Sequence, residues 1–592
     1  MTGAFGLPLA ESHARHDDTR SSSYIRGPRW THLPTLTIGL LGVQILWSVE
    51  MSYAPPYLLS LGLTKPNMAI VFLAGPLSGF LIQPLIGVLA DNSTSRWGRR
   101  RPYMLGGCVL SVASMLLLGY TREFAAIFTG PGNYMNDVVT VWLAILSIYL
   151  IDFSINAVQA VDRALLVDTL PSPMQASGNA WAASMLGVGS VVGFFVGNLD
   201  LPSFLPFPGS SELQVLSVIV SVLILAGHFT TAALVKEKVV IRSAEQQRPN
   251  IQAEIRQIFS SISTLPRVIR QICMIQFFAW LGWFPVLFYT TMYISDLYAR
   301  SAKLAGGTPA EIVAEGTRLG SRALFFSSTL ALLTNLLLPL FTSTSRARRT
   351  TGHMRTQSTD SFISNSLGAV IPESAKMPLT TLWAFSHLLF AACMLGTFFV
   401  TSVDGAILLV ALTGIPWAVA QWAPFSLLGE AILTSAPASA STCAGDEEDS
   451  LLDPHVPRDA PEDTLNPTTS SSPTQLVEQL DRLDMNAPLL ADEKSEDSAA
   501  GRSLSAQAGV ILGIHNVFIV IPQFLVTILC AVVFAVFDSD PRALVDPNVE
   551  PPSALGRALD ERPNSVVYIF RLGALWALVA FTICRQLGRE LR

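Results

Sequence analysis

The chain has 592 residues, of which 50% are hydrophobic and only 14% charged, and its mean hydropathy is +0.45. A typical soluble protein carries roughly 25% charge, so these values exclude a soluble globular or largely disordered protein. The net charge of −6 is unevenly spread: residues 446–497 hold 15 Asp/Glu and 3 Lys/Arg, a net of −12, which leaves +6 for the rest.

Residues 1–33 are polar and lack the short apolar stretch of a signal peptide, so they read as a cytosolic tail. Twelve apolar stretches follow, at roughly 34–57, 66–90, 103–120, 138–161, 178–199, 213–235, 268–294, 321–341, 379–401, 405–428, 506–537 and 565–584. Each is long enough to cross a hydrocarbon core of about 30 Å as a helix. A β-barrel is excluded, because its strands alternate and run only about 10 residues. An even count puts both termini on one side. With that side as the cytosol, the cytosolic segments hold 28 Lys/Arg against 9 outside, as the positive-inside rule requires. The sequon Asn92-Ser93-Thr94 then lies in the cytosol and stays unglycosylated.

The expected organisation is a six-helix bundle at 34–235, a central cytosolic loop at 236–267, and a second bundle at 268–585. The second bundle is interrupted by polar cytosolic loops at 342–377 and 430–505, whose composition reads as disorder, and residues 586–592 close the chain in the cytosol. Residues 251–265 read as an amphipathic surface helix. The halves look weakly repeated: Pro84-Leu85 precedes Ser93-Thr94-Ser95-Arg96 and Arg99-Arg100, and Pro339-Leu340 precedes Ser343-Thr344-Ser345-Arg346 and Arg348-Arg349. Two six-helix halves in parallel repeat are the architecture of major-facilitator carriers; chance recurrence is the alternative. The fold class is therefore all-α membrane protein with twelve helices in two halves.

Loop 2–3 runs Gly87-Val-Leu-Ala-Asp91-Asn-Ser-Thr-Ser-Arg96-Trp97-Gly98-Arg99-Arg100-Arg101-Pro102. It resembles the major-facilitator motif G-x-x-x-D-x-x-G-R-[KR] in an expanded form found in the sucrose transporter family: plant sucrose–proton symporters, their animal relatives and fungal α-glucoside permeases. Helix 4, with Asp152, Asn156, Gln159, Arg163-Ala164-Leu165-Leu166 and Asp168, is similar to that family's D-x-x-x-N-x-x-Q-x-x-x-R-A-L-L-x-D. Gly282-Trp283-Phe284-Pro285, Gly414-Ile415-Pro416, Asn516 and Pro522-Gln523 add to the likeness, and Trp47-Ser-Val-Glu50…Tyr53…Pro56-Tyr57 looks like the fungal branch. The resemblance implies a proton-coupled disaccharide symporter of the major-facilitator fold, with Asp152 as proton site. In the plant members acidic residues follow the helix 7 F-P-F segment. Tyr289 and Thr291 stand there in this chain, so a coupling role for those acids does not carry over.

The residues themselves point the same way. Asp152, Asn156, Gln159 and Arg163 are spaced i, i+4, i+7, i+11 and share one helical face. That face avoids lipid, where a charge costs about 2.5 kcal/mol or more. Asp152 lies about 21 Å into its helix and Arg163 about 16 Å further, too far for a direct pair. An isolated buried carboxyl is fit to carry a proton; a structural role capping a kinked neighbour is the alternative. Asp91, Arg99, Arg100, Arg163 and Asp168 are expected to form a cytosolic gate, against a purely topological role for the arginines. Glu50, with Pro55 and Pro56 kinking or ending its helix, is expected to bind sugar hydroxyls or join the proton path; a solvated helix-end glutamate is the alternative. Asn156, Gln159, Trp283, Phe284, Trp417, Gln421 and Asn516 complete the candidate sugar site, although Trp also populates membrane interfaces. His228, His387 and His515 read mainly as packing residues.

No phosphate-binding loop, nucleophile triad or metal cluster is present, which argues against an enzyme or an ATP-driven pump. No cofactor is expected beyond the proton as coupling ion, and no nucleic-acid partner. The six cysteines (Cys108, Cys273, Cys393, Cys443, Cys530, Cys584) form no C-x-x-C pair. The expected partners are a disaccharide, the lipid bilayer and, at the acidic dileucine Glu447-Glu448-Asp449-Ser450-Leu451-Leu452, sorting or ubiquitin machinery. That signal leaves the vacuolar membrane open beside the plasma membrane. The rival functions are a carrier of another solute and a non-transporting sugar sensor.

Overall fold

The computed structural model describes residues 24–91, 93, 95, 97–171, 174–237, 265–302, 308–342, 376–434, 508–538 and 564–591. All but the last residue of the expected amphipathic helix at 251–265, and most of the loops at 342–377 and 430–505, lie outside them. One compact unit combines Met1–Ala431 with Ala508–Arg592, and Ile432–Gln507 is a separate unit.

Sixteen helices carry the described chain: α1 (His32–Ser60), α2 (Lys65–Val71), α3 (Ala74–Asp91), α4 (Arg101–Gly119), α5 (Thr121–Thr129), α6 (Tyr134–Thr169), α7 (Gln175–Val196), α8 (Leu201–Phe204), α9 (Glu212–Leu234), α10 (Arg267–Ala302), α11 (Pro309–Leu337), α12 (Leu379–Gly396), α13 (Val403–Leu412), α14 (Gly414–Thr434), α15 (Ala508–Asp538) and α16 (Ser565–Glu590). Regular helix is what an apolar solvent demands, because each backbone N–H and C=O must find its partner inside the segment. Polar caps set the starts. Asn133 accepts from the Asn136 amide at 2.8 Å to open α6, and Ser211 and Gln214 cap α9 reciprocally.

Eleven of the twelve expected stretches are long and apolar enough to cross a membrane. The stretch at 321–341 covers the C-terminal part of α11, a 29-residue helix too polar to qualify on composition, and the 3-10 turn Leu338–Phe341 that follows it. Its N-terminal half carries Glu311, Glu315, Arg318 and Arg322, and its C-terminal half carries Ser327, Ser328 and Asn335. The exposed Leu333, Leu336 and Leu337 share that C-terminal half, so α11 presents both apolar and polar faces.

Of the two outcomes expected for the prolines of α1, an end to the helix does not occur. Pro55 and Pro56 lie inside the helix, which continues to Ser60. Interruptions fall elsewhere: the second stretch breaks into α2 and α3, and the tenth into α13 and α14.

Packing sorts the helices into α1–α9 and α10–α16, joined chiefly by α7 with α11, α2 with α15 and α1 with α10. Small residues permit the closest approaches. A Cβ on Gly189 of α7 would lie 2.6 Å from the Leu41 carbonyl oxygen of α1. Two short strands, β1 (Tyr24–Ile25) and β2 (Val235–Lys236), pair antiparallel and pin the start of the described chain to the end of α9. The face holding this sheet, where α1 begins and α6 ends, is termed the near face; the other is the far face.

Candidate functional site

Between the two helix groups, in the near-face half, lies a cavity of about 140 Å3. Its polar wall comes from Gln44 of α1, Gln159 and Arg163 of α6, Asn335 of α11 and Gln421 of α14. Trp47, Trp283 and Trp417 supply the aromatic wall. Trp283 is wedged between Phe390, at 4.3 Å between ring centroids, and Trp417, at 4.9 Å, so neighbouring rings set its orientation. Amides, a guanidinium and indole faces together suit a polyhydroxylated solute, whose C–H faces stack and whose hydroxyls take hydrogen bonds.

The sequence-predicted site residues divide into those on the cavity and those behind it. Gln159, Arg163, Trp283, Trp417 and Gln421 line it. Glu50, Asp152, Asn156, Phe284 and Asn516 do not. Phe284 is fully buried against Phe288, 4.8 Å between centroids, and Asn516 is half-buried on α15.

Glu50 and Asp152 form a buried carboxyl pair behind the cavity wall. They are 1% and 0% exposed and lie within electrostatic reach of each other. None of their four carboxyl oxygens meets a hydrogen-bond donor among the described residues. The backbone beside Asp152 is held firmly. Ser78 Oγ donates to the Asp152 carbonyl at 2.7 Å, Asn156 Nδ2 donates to the same oxygen at 2.9 Å, and Asn156 Oδ1 accepts from Gln83 Nε2 at 2.9 Å.

On the near face, Asp168 at the end of α6 receives both Arg99, at 2.6 Å, and Arg100, at 2.9 Å. The sequence reading missed Glu237. Its carboxylate accepts the Arg100 and Arg101 amides at 2.7 Å each, just beyond Gly98. Gly98 has φ +106°, a conformation that side chains rarely adopt, and a Cβ there would lie 2.8 Å from Glu237 Cδ. Arg163 sits in the cavity wall as well as near this end of α6. The side chain of Asp91 lies outside the described residues.

A second charged layer, also unforeseen, spans the two helix groups on the far face. Lys65 pairs with Asp296 at 3.1 Å and Asp538 at 3.7 Å. Arg318 pairs with Glu212 at 3.1 Å, Asp200 at 3.3 Å and Glu315 at 3.2 Å. Arg322 donates to Asn198 Oδ1 at 2.7 Å across the groups, and within the α1–α9 group Tyr53 donates to the Gly197 carbonyl at 2.5 Å. Partners more than 100 residues apart carry no mutual signal in one sequence. His228, His387 and His515 are not among the residues that line the cavity, and His228 pairs with Asp162 at 3.0 Å inside the α1–α9 group.

Two packed groups of membrane-length helices, with a cavity between them near one face and ion pairs closing the other, define a multi-pass membrane carrier. Residues 36–435 match the family described as MFS/sugar transport protein, and the chain belongs to that family. It is a secondary transporter that moves a small solute by alternating access, and its function is transport rather than catalysis. It is 31% identical to the general alpha-glucoside permease of Schizosaccharomyces pombe, across 94% of this chain and 93% of that protein. It is 26% identical to a sucrose transport protein of rice, Oryza sativa subsp. japonica, across 50% of this chain and 62% of the relative. Among solved structures, a bacterial homologue of the human lysosomal transporter Spinster, inward-facing and unoccupied, aligns with TM-score 0.51 and 11% identity, over 94% of this chain and 96% of that one. That likeness concerns the fold alone.

Proposed function

We propose that this carrier moves an α-glucosidic disaccharide, such as sucrose or maltose, together with a proton. The observation that carries the reading is the adjacency of two chemically different sites. The tryptophan- and amide-lined cavity suits a sugar. The Glu50–Asp152 pair behind it offers carboxyls with no protein hydrogen bond and no paired cation among the described residues, and a buried carboxyl of that kind is fit to take up and release a proton. The named activity of the fungal relative supports the choice of sugar.

The near face is assigned to the cytosol on the bias of lysine and arginine, which puts both termini there. In this orientation the cavity is on the cytosolic side and the Arg318 and Lys65 clusters close the outside. Arg99, Arg100 and Asp168, together with Asp91 and Arg163, make up the proposed inner gate. The described ion pairs of this set, Arg99 and Arg100 with Asp168, lie within the α1–α9 group, so they brace the cytosolic end of that half while the halves rock against each other. The plasma membrane is the proposed location, with the vacuolar membrane as the alternative set by the acidic dileucine.

Uptake into proteoliposomes tests the whole reading. Radiolabelled maltose and sucrose should accumulate above equilibrium with an imposed pH gradient and only equilibrate without one. Equal uptake in both conditions removes proton coupling. No uptake of any disaccharide, with transport of another solute, removes the substrate.

A further inference from the structure

Arg571 lies six residues into α16, about 9 Å from its first residue by the helix rise, within a segment apolar enough to cross a membrane. A guanidinium there is costly unless partnered. Leu575, one turn on, is 54% exposed, so this side of α16 looks outward from the bundle. Among the described residues, Arg571 contacts neutral groups. Its guanidinium donates to the Thr397 carbonyl at 3.1 Å and to Thr397 Oγ1 at 3.4 Å, and it stacks 3.6 Å from the Phe398 ring centroid. These contacts orient the charge without neutralising it.

Arg571 borders a far-face crevice of about 470 Å3 between the ends of α10, α12 and α16. From α10 come Arg300 and Tyr293, and among the described residues the lining contains no Asp or Glu. Tyr293 is 1% exposed, lies within electrostatic reach of Arg571, and its hydroxyl has no hydrogen-bond partner among the described residues. A buried O–H without an acceptor, beside a guanidinium without a carboxylate in the lining, asks for an oxyanion. Arginine matches phosphate geometry well. The rim is apolar: Phe398 and Phe399 are exposed.

We propose that this crevice binds the phosphate of an anionic lipid headgroup in the far-face leaflet, with the acyl chains lying along the exposed phenylalanines. The oxyanion chemistry is shared with free phosphate; the apolar rim selects the lipid. The site is separate from the central cavity, so the inference stands independently of the transported solute.

The test titrates the full chain, purified in neutral detergent, with dihexanoyl-phosphatidylglycerol, dihexanoyl-phosphatidylcholine and inorganic phosphate by calorimetry. Phosphatidylglycerol should bind about tenfold more tightly than either of the others. Arg571→Gln should weaken it about tenfold and Tyr293→Phe about three- to tenfold, as loss of a hydrogen bond to a charged group does. Tyr293→Phe removes only the unpartnered hydroxyl, so it keeps the result interpretable should Arg571→Gln not fold. Equal affinity for the three probes, phosphate binding as tight as the lipid, or wild-type affinity in a folded variant would each overturn the proposal.

Discussion

Arg318 Nε lies 3.1 Å from Glu212 Oε1, tying α11 of one helix group to the start of α9 in the other. The side chains are only 20% and 11% exposed, so the pair is less screened than a surface bridge. Alternating access requires this contact to break whenever the far face opens. Arg318→Gln should therefore shift the balance toward far-face opening by about 1–2 kcal/mol, between the usual values for exposed and buried pairs. The readout is labelling by a membrane-impermeant maleimide at Ser321→Cys, which lies beneath the latch where Ser321 donates to the Phe194 carbonyl. Labelling should rise about tenfold, and an unchanged rate would mean that the pair does not hold the gate.

Gly98 gives a sharper local prediction. Gly98→Ala places a Cβ 2.8 Å from the Glu237 carboxyl carbon at a φ that disfavours side chains. The cost should be about 1–3 kcal/mol, seen as a lower thermal midpoint. Glu237→Gln keeps the shape but weakens the amide bonds of Arg100 and Arg101, so it should be milder. Should the alanine variant melt with the wild type, the turn is not held by this contact.

Much of the architecture was legible because membrane helices announce themselves by length and hydropathy. Eleven of twelve expected stretches qualify, and α11 differs because the polar residues that face its neighbours dilute its apolar signal. The face shared by Gln159 and Arg163 was readable from helical spacing, and both reach the cavity. The same spacing could not show that Asp152 and Asn156, on that face, sit behind the wall. That depends on how α1 and α3 pack over them, through Glu50, Ser78 and Gln83. The far-face latch was hidden for a different reason. Lys65 and Asp538 are single charges in different halves, and only the folded helices bring them within 3.7 Å.

Asp152→Asn tests the coupling proposal directly. The amide matches the carboxylate in size but cannot titrate, and the Asp152 backbone bonds to Ser78 and Asn156 do not involve its side chain. Folding and surface level should be retained. Accumulation driven by a pH gradient should fall to equilibration, while sugar exchange between equal pools persists. Wild-type accumulation by this variant would move the proton site elsewhere, with Glu50→Gln the next variant to measure.

The cavity makes a prediction that distinguishes three neighbouring tryptophans. Trp283 and Trp417 line the cavity, whereas Trp280, 4% exposed and 6.3 Å from Trp417 between ring centroids, does not. A sugar stacked in the cavity loses one aromatic face in Trp417→Ala, worth about 1–2 kcal/mol, or roughly tenfold in half-saturating concentration. Gln421→Ala removes a hydrogen-bonding amide from the same wall and should cost about three- to tenfold. Trp280→Phe should stay within about twofold, because it changes packing behind the wall and no group that a solute reaches. Saturation curves for maltose and sucrose uptake separate these outcomes, since lost contacts raise the half-saturating concentration while lost folding lowers only the maximal rate. If Trp280→Phe weakened half-saturation as much as Trp417→Ala, the solute would reach beyond the residues that line this cavity, and the cavity would not be the whole sugar site.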